Sequence, residues 1–420
     1  MKTINSRFII IILGTFFLFA CTKDFEEINT NPLGFTTAST GSLFNGVIES
    51  LVPSGEEQMY VVNEIIYKQT QQGALTRSAW GNYSLGTEAM WTSYYGVLGE
   101  IRELEKRFSE LPPSAELDNM KAMLKILTAY KTFKLTDVFG DIPFFDAGYG
   151  YTDLDALHPE FDSQRDIYLY LLNDLKWADE NISDTAVSEE PYRTFSSFDK
   201  LFFGDIHQWQ KLANSMRLRY ALRMSEAEPE QAGEIILDVI ENDRPVFQGY
   251  DFLTSYLESG CMWPNLVGFD FYSTSWAFRE QKNLRLGSTI WKQFSVHDSL
   301  DGSGIFDPRA FIFFEPNYDG NWVAYPQLPE TNTPPSGGTP YADHRDSKDS
   351  PENYYLKGVD NIYSPYNYFL VRGGQMVPII LMTGAEVHFI KSECYFRGIG
   401  VAADPTLAET EYLNGIFVIS

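Results

Sequence analysis

The chain has 420 residues and a formal net charge of −25, with 57 acidic against 32 basic side chains. This acidity argues against nucleic acid as a partner, because its phosphates need Lys and Arg, and also against a protein that lies flat on anionic lipid. The length suffices for one large domain or two smaller ones, and the aromatic share of 15% leaves rings for a stacking surface outside the core.

The N-terminus begins with a basic start and then an almost wholly apolar run, Phe8–Ala20. A membrane span needs about 18 or more apolar residues, so the run is too short to span and is instead typical of an export signal. Leu18-Phe19-Ala20-Cys21 resembles the lipobox of bacterial lipoproteins, in which the cysteine becomes the first mature residue and carries lipid. We predict a lipoprotein signal peptide at residues 1–20 and a lipid anchor on Cys21. The alternative is an ordinary signal peptide with a chance cysteine.

The residues after Cys21 indicate a destination. Lys23-Asp24 and Glu26-Glu27 resemble the surface-export signal of lipoproteins displayed outside some Gram-negative outer membranes. Residues 21–40 are predicted to form an extended tether, because Asn31-Pro32 and Leu33-Gly34 are turn signals.

Two amphipathic helices are predicted next, over Gln58–Gln71 and Thr87–Phe108, from apolar residues spaced three and four apart. The loop between them combines aromatic rings with polar side chains around a glycine, which is the chemistry that binds the flat faces and hydroxyl rims of sugars. Its candidate ligand-binding residues are Arg77, Trp80, Asn82 and Tyr83. The alternative is that Trp80 packs into the junction of the two helices.

Three further helices have clear signals. Ser114 is the predicted N-cap of a helix to about Asp137, and Ser163 begins a second with an approximate capping box. Helical periodicity predicts the buried face of each helix. In the first helix the buried residues are Met120, Met123, Leu124, Leu127 and Tyr130, and the lysines assigned to solvent are Lys121, Lys125 and Lys131. In the second helix the buried residues are Ile167, Tyr170, Leu171, Leu175 and Ala178.

The third of these helices, over Ile206–Met224, is apolar almost all round and should be largely buried. Its arginines, Arg217, Arg219 and Arg223, must therefore find partners or the surface, because an unpaired buried charge is costly. A short helix is predicted behind it, over Gln231–Glu241.

The region from about 244 to 380 is rich in Gly, Pro, Asn and aromatic residues and lacks periodicity. A stretch of this length in a compact domain is usually functional, so we predict that it carries the ligand region. Its candidate ligand-binding residues are Trp263, Tyr272, Trp276 and Trp322. For each ring taken singly, packing in the core is the stronger alternative.

Two groups of carboxylates have spacings that could suit a reactive or a metal site. Asp298, Asp301 and Asp307 lie on a turning loop, as calcium ligands do, but the EF-hand pattern is missing and a solvated loop is the better interpretation. Asp137 and Asp141 suggest the acid pair of a glycosidase, yet they lie at a helix end beside Gly140 and Pro143, where a structural role fits better. The five histidines show no HExxH-like spacing, which argues against zinc, and no cofactor motif is present.

The last predicted helices begin at the capping box Thr383–Glu386 and near Leu407–Leu413. The chain then stops at "GIFVIS", without a polar tail, and we expect a C-terminal truncation. Cys261 and Cys394 are compatible with one disulfide or with two buried thiols. The architecture predicted from the residues is many helices plus a long irregular insertion, with no clean repeat of the kind that marks a regular solenoid.

Five stretches, in order along the chain, together resemble the SusD/RagB family of outer-membrane nutrient-binding lipoproteins, in its SusD-like branch. They are the lipobox with "CTKDFEEINTNP", then "AYKTFKLTDVFGDIPFFDAG", "WQKLANSMRLRYALRM", "FDPRAFIFF" and "MTGAEVHFIKSECYFRG". One of them alone would be weak, but five in order over nearly the whole mature chain form a strong signal.

The resemblance implies a mainly α fold, an α-superhelical scaffold of tetratricopeptide-like helix pairs with a loop-rich ligand region, as a single domain over 41–420. It also implies a TonB-dependent outer-membrane transporter (SusC-like) as partner, and an oligosaccharide or, in some members, a peptide as ligand. An early interhelix loop with Trp and Asn contributes to the glycan site of this family, which favours Trp80 and Asn82. A non-enzymatic binding protein without metal or cofactor is therefore expected, in preference to a helical glycoside hydrolase.

Overall fold

The computed structural model describes residues 38–75, 83–150, 157–249, 258–262, 284–317, 319–326, 363–367 and 378–419. The chain divides into the units Met1–Ser39 and Thr40–Ser420, and all helices and strands named below belong to the second unit. The predicted signal peptide, Cys21 and nearly all of the tether therefore lie outside the described residues.

Helices dominate the described residues, so the predicted mainly α fold is confirmed. Those before the loop-rich region are α1 (Thr40–Glu49), α2 (Glu57–Ile66, with π-helical hydrogen bonding, continued by the α-helical turn Tyr67–Gln69), α3 (Tyr83–Ser109), α4 (Ala115–Phe139), α5 (Gln164–Asn181), the 3₁₀ turn Asp184–Ala186, α6 (Tyr192–Ser196), α7 (Ile206–Met224) and α8 (Pro229–Glu241). Those inside and after it are α9 (Ser288–Phe294), α10 (Arg309–Phe313), α11 (Gly384–Arg397) and α12 (Pro405–Ile419).

The three predicted helix starts are confirmed by side-chain capping. The hydroxyl of Ser114 accepts the amide of Leu117 at 3.2 Å, and that of Ser163 accepts the amide of Asp166 at 3.1 Å. Thr383 accepts the amide of Glu386 at 3.2 Å. Each cap satisfies an amide that has no partner inside its own helix.

Neighbouring helices pack side by side in chain order. The contacts are α1 with α3, α3 with α4, α4 with α5, α5 with α7, α7 with α8, and α11 with α12. One hydrophobic core runs through these helices as far as α11, and α11 packs on α7 although the loop-rich region separates them in sequence. The C-terminal helices are thereby brought back to the scaffold.

Within the described residues, four short strands form two antiparallel pairs that the sequence did not predict. Strand β1 (Ala74–Leu75) pairs with β3 (Leu284–Arg285), and β2 (Ser259–Met262) pairs with β4 (Ile379–Thr383). The second pair carries a bulge between Gly260 and Cys261. Cys261 and Cys394 are free thiols, which decides against the predicted alternative of a disulfide.

Lys131 is a correction to the predicted wet face of α4. The side chain is buried, and its ammonium donates to the carbonyl oxygen of Ser50 at 2.7 Å. Burial, together with the charge of Lys134, lowers the pKa of Lys131 to about 8. Helical periodicity missed this contact because it does not show that the turn after α1, at Ser50, reaches this side of α4.

The three arginines of α7 each find an acidic partner on another helix. Arg219 is bidentate with Glu386 of α11 at 2.6 Å, and Arg223 is 3.2 Å from Asp137 of α4. Arg217 is 1% exposed and donates to Asp238 of α8 at 2.5 Å. The sequence-based expectation that these charges need partners is confirmed.

Arg217 belongs to a buried charge network that joins α5, α7 and α8. Asp179 of α5, with its side chain 1% exposed, accepts from Asn214 and from Arg244, both at 2.7 Å. Arg244 also donates to Asp238 at 3.1 Å. Two arginines and two aspartates therefore neutralise one another, and breaking such a pair strands a buried charge at a cost of about 3–5 kcal/mol.

Acid should weaken the fold through Asp238. Burial tends to raise the pKa of Asp238, but hydrogen bonds from Arg217, Arg244 and Asn242 outweigh burial and lower the pKa to about 2. Because this folded-state pKa lies below the unfolded one, the stabilisation is present above about pH 4 and is lost as the pH falls toward 2. Urea unfolding at stepped pH should show the loss in the native protein, and a smaller loss in Asp238→Asn.

The exposed carboxylate of Glu409 provides the control, because Glu409→Gln removes an acid outside the network. That variant should follow the native pH profile. Identical acid profiles for the native protein and Asp238→Asn would contradict the role assigned to Asp238.

Candidate ligand-binding site

A second, smaller hydrophobic core forms within the loop-rich region. It consists of residues from β3, α9, α10 and the segments behind them: Leu284, Leu286, Trp291, Phe294, Ala310, Phe314, Trp322, Ala324 and Tyr366. Tyr67 of α2 and Leu75 of β1 pack against it from the helical scaffold. A region without sequence periodicity therefore has a packed interior of its own.

Tyr366 attaches this second core to the helical scaffold. Its ring stacks on that of Tyr67 with 6.0 Å between centroids and 11° between planes. Its hydroxyl donates to the carbonyl oxygen of Gln72 at 3.2 Å. Burial raises the pKa of Tyr366 well above its ordinary value, so the phenol remains neutral and keeps this hydrogen bond.

The strand pair β1–β3 connects two of the predicted ligand segments. Leu75 pairs with Leu284 and Ala74 with Arg285, in antiparallel register. Residues 76–82 continue from Leu75, and residues 263–283 lead into Leu284. The two segments that hold most of the candidate residues are thus attached at adjoining backbone positions.

The segment that contains Trp322 also forms backbone hydrogen bonds next to strand β3. The amide of Tyr325 donates to the carbonyl of Leu286 at 2.8 Å, and the amide of Ser288 donates to the carbonyl of Tyr325 at 2.9 Å. Backbone hydrogen bonds around strand β3 therefore join the residues next to segments 76–82 and 263–283 with the segment that contains Trp322. About 240 residues separate Asn82 from Trp322 in sequence.

The individual candidates have different outcomes. Six of them lie outside the described residues: Arg77, Trp80, Asn82, Trp263, Tyr272 and Trp276. Tyr83 is the first residue of α3, and its side chain is also outside the description. Trp322 alone can be placed in full.

Trp322 is a core residue in this structure. Its side chain is 5% exposed and stacks on Trp291 with 5.7 Å between centroids and 13° between planes. Phe311 meets the same ring edge-on at 5.5 Å, and Gly302 lies so close that an added Cβ would be 2.7 Å from it. The ring thus has no open face for a sugar, and the alternative of core packing describes it.

The polar residues around Trp322 are used in turns. The side-chain oxygen of Asn317 accepts the amides of Asp319 at 3.0 Å and of Asn321 at 2.9 Å. Asp298 accepts from the indole nitrogen of Trp291 at 2.7 Å, and Asp301 accepts the amide of Ser303 at 2.9 Å. These side chains shape the loop that covers the second core.

The other predicted carboxylates are also engaged. The pKa of Asp307 is lowered by its hydrogen bonds from Arg309, which lies 2.6 Å away. Asp137 accepts from Tyr168 and pairs with Arg223, and Asp141 accepts the amide of Gln164 at 2.9 Å. Burial raises the pKa of Asp137, against the lowering effects of Tyr168 and Arg223. Asp137 and Asp141 thus serve different contacts.

Sequence reasoning did not single out Tyr67, Tyr366 and Trp291. Their side chains pack in or against the second core, which also contains Leu284 of β3. Tyr67 was placed only as part of an amphipathic helix, and Tyr366 stands in a loop without periodicity. The available signal was composition alone, since the aromatic enrichment of this region does not say which rings meet.

Removing the Trp322 ring should destabilise the protein. Trp322→Ala empties a buried site against Trp291 and Phe311, and such truncations cost about 3–5 kcal/mol. Thermal melting should show a lowered midpoint or a separate early transition. The matched control is Phe306→Ala, because that aromatic ring is 61% exposed. A Trp322→Ala protein that keeps its stability but loses affinity for ligand would instead place this ring in the binding site.

The described helices contain none that combines the length and apolarity needed to cross a bilayer. No curated protein matches the chain significantly. A family model described as "Starch-binding associating with outer membrane", SusD-like, matches residues 32–419.

Solved structures give the same fold. A SusD homolog from Parabacteroides distasonis has a TM-score of 0.67 at 20% identity, over 91% of this chain and 72% of its own. A chitin-binding protein has a TM-score of 0.64 at 21% identity, over 90% and 74%. A SusD-like protein from Bacteroides thetaiotaomicron has a TM-score of 0.61 at 18% identity, over 90% and 69%. These relatives are helical tetratricopeptide-containing folds, in agreement with the predicted scaffold.

The family match spans nearly the whole described chain, and the predicted resemblance is thereby confirmed. The chain belongs to the SusD-like family of starch-binding proteins that associate with the outer membrane.

Proposed function

We propose that this protein is a cell-surface lipoprotein that captures an oligosaccharide and delivers it to a TonB-dependent outer-membrane transporter. The observation that carries the proposal is the β1–β3 ribbon, in a chain of a starch-binding family. Two segments with the chemistry of a glycan site, residues 76–82 and 263–283, directly adjoin its paired residues Leu75 and Leu284 in sequence.

The residue types in these segments suit sugars. Trp80, Trp263 and Trp276 offer flat rings for the apolar face of a pyranose, and Arg77 and Asn82 offer donors and acceptors for its hydroxyls. A structural relative named as a chitin-binding protein supports a ligand derived from a polysaccharide. The ribbon and the second core would hold such a site in a fixed geometry, which lowers the entropy that binding consumes.

The anchor and the partner complete the proposal. A lipid on Cys21 would hold the domain at the outer membrane, since each buried methylene contributes about 0.8 kcal/mol. The acidic residues after Cys21 support the outer face. A transporter beneath the domain would take up the captured ligand, as the family resemblance implies.

Two alternatives remain as outcomes of experiments. A peptide-binding member of the family would use the same aromatic segments. A helical glycoside hydrolase would need two free carboxylates, yet Asp137 and Asp141 are each engaged by other side chains or backbone. We therefore propose binding without catalysis.

Trp80 should contribute to affinity and little to stability. We expect Trp80→Ala to weaken binding of the cognate oligosaccharide about tenfold or more, because stacked aromatic rings dominate such sites. An oligosaccharide array would identify the ligand, titration calorimetry would measure the change, and melting would check the fold. The control is Phe396→Ala on α11, which removes a ring that is 73% exposed in the helical scaffold.

The same array separates the alternatives. Cleavage products released from an oligosaccharide would overturn the proposal of binding without catalysis, and peptide binding without any sugar binding would favour the peptide-binding alternative. If Trp80→Ala lowers the melting temperature strongly but leaves affinity unchanged, Trp80 is a core residue.

The anchoring of Cys21 has its own test. Mass spectrometry of the protein extracted from membranes should show a mature N-terminus at Cys21 with an added acyl mass. The Cys21→Ser variant should release the domain from the membrane fraction. An unmodified Cys21, or a retained signal peptide, would overturn the anchor.

A further inference from the structure

The helical scaffold also contains a cleft, lined by described residues outside the β1–β3 pair and the second core. Its walls are the C-terminal half of α3, the start of α4, the middle of α5 and the turn after Ile142, and its volume is about 320 Å³. Small-molecule sites start at about this size. The residues used below are Arg102, Glu105, Lys121, Phe145, Tyr149 and Tyr170.

The turn that forms one wall is rigidly held on both sides. The carboxylate of Asp162 accepts the amides of Phe144 at 2.8 Å and Phe145 at 2.9 Å. The guanidinium of Arg102 donates to the carbonyls of Phe144 at 2.5 Å and Ala147 at 3.1 Å. Arg102 is 5% exposed, so its contacts lie inside the protein and resist exchange with water.

Aromatic rings on this turn and on the adjoining part of α5 are exposed to solvent. Phe145 is 37% exposed, and Tyr170 is 42% exposed although periodicity placed it on the buried face of α5. The two rings meet edge to face at 5.3 Å, and each also contacts Phe144. Tyr149 lies over the guanidinium of Arg102 at 4.9 Å. Exposed rings that are held in place around a concavity favour a flat-faced ligand.

The charges of the cleft leave a cation available. Glu105 is already paired with Arg102 at 2.9 Å and accepts from Tyr149 at 3.3 Å. Lys125 is likewise paired with Asp174 at 2.5 Å. Lys121 lines the cleft without a hydrogen bond or ion pair to any residue that the structure describes. The ammonium of Lys121 is therefore available to a ligand, which is unusual in a chain with a net charge of −25.

We propose that this cleft is a second glycan site, which takes a sugar ring bearing a carboxylate, such as a uronate. The rings of Phe145 and Tyr170 would contact the apolar face of the sugar, and Lys121 would bind its carboxylate. Glu105 and Tyr149 would accept and donate at the hydroxyls. The ligand class rests on the proposed function, whereas the location does not, since none of the described residues that line this cleft belongs to β1, β3 or the second core.

The probes are trigalacturonate and the neutral galactose trisaccharide of the same linkage. Each is titrated into the full mature domain. The acidic sugar should bind more tightly, and added salt should reduce the difference because the contact is ionic. Lys121→Gln should weaken trigalacturonate about tenfold, since a charge-assisted contact of this type is lost. Tyr170→Ala should weaken it through lost stacking, with melting as the check on folding.

The matched control is Lys292→Gln, which makes the same charge change at an exposed lysine of α9. Its affinity should equal that of the native protein, and Trp80→Ala should leave trigalacturonate binding in place. The inference is overturned if trigalacturonate fails to bind, if Lys121→Gln binds as the native protein does, or if Trp80→Ala alone abolishes binding.

The two proposals fail in different ways. Binding of neutral oligosaccharides that depends on Trp80, with no binding of trigalacturonate, would remove the second site and keep the proposed function. Absence of binding to any sugar on the array would remove both. Binding of acidic peptides instead of trigalacturonate through Lys121 would keep the cleft as a site but overturn its assignment to a sugar.

Discussion

The fold depends on the neutralisation of three arginines on the most buried helix. Helix α7 is apolar on nearly every side, so Arg217 and Arg219 have little access to water, whereas Arg223 is 57% exposed near the end of the helix. Each therefore pairs with an acid on a different helix: α8, α11 and α4. Hydrophobic packing is not directional, whereas these ion pairs specify which residues of two helices meet. The Arg219–Glu386 pair in particular fixes where the chain returns to the scaffold after the long loop-rich region.

Part of the loop-rich region forms a separate, smaller core that packs against the helical scaffold. Trp291, Trp322 and Tyr366 fill it, and Tyr67 connects it to the helices. The β1–β3 pair has only two residues per strand, which gives few ladder hydrogen bonds. Side-chain packing beneath the pair must therefore supply most of its stability, because such short ribbons are marginal in water by themselves.

Much of the scaffold could be read from the sequence, because capping and periodicity are local signals. Ser114, Ser163 and Thr383 were predicted as caps, and α7 was predicted to its end residues. The pairing of Leu75 with Leu284 could not be predicted, since two residues carry no period and their partners are distant in sequence. Tyr170 and Lys131 were assigned to the wrong environment, because what a helix face meets depends on its neighbours and not on its own spacing. The chemistry of their residues marked segments 76–82 and 263–283 as candidates, but only the tertiary structure shows that the strands next to them in sequence pair with each other.

The β1–β3 ribbon has an evolutionary consequence. Its paired residues, Leu75 and Leu284, directly adjoin segments 76–82 and 263–283 in sequence, while the cap hydrogen bonds and ion pairs described above are made by residues outside both segments. Insertions or exchanges within these segments would therefore leave the frame intact. Under the proposed function, a lineage exposed to a new nutrient could change its ligand by altering these two stretches of chain, with no need to change the helices of the scaffold.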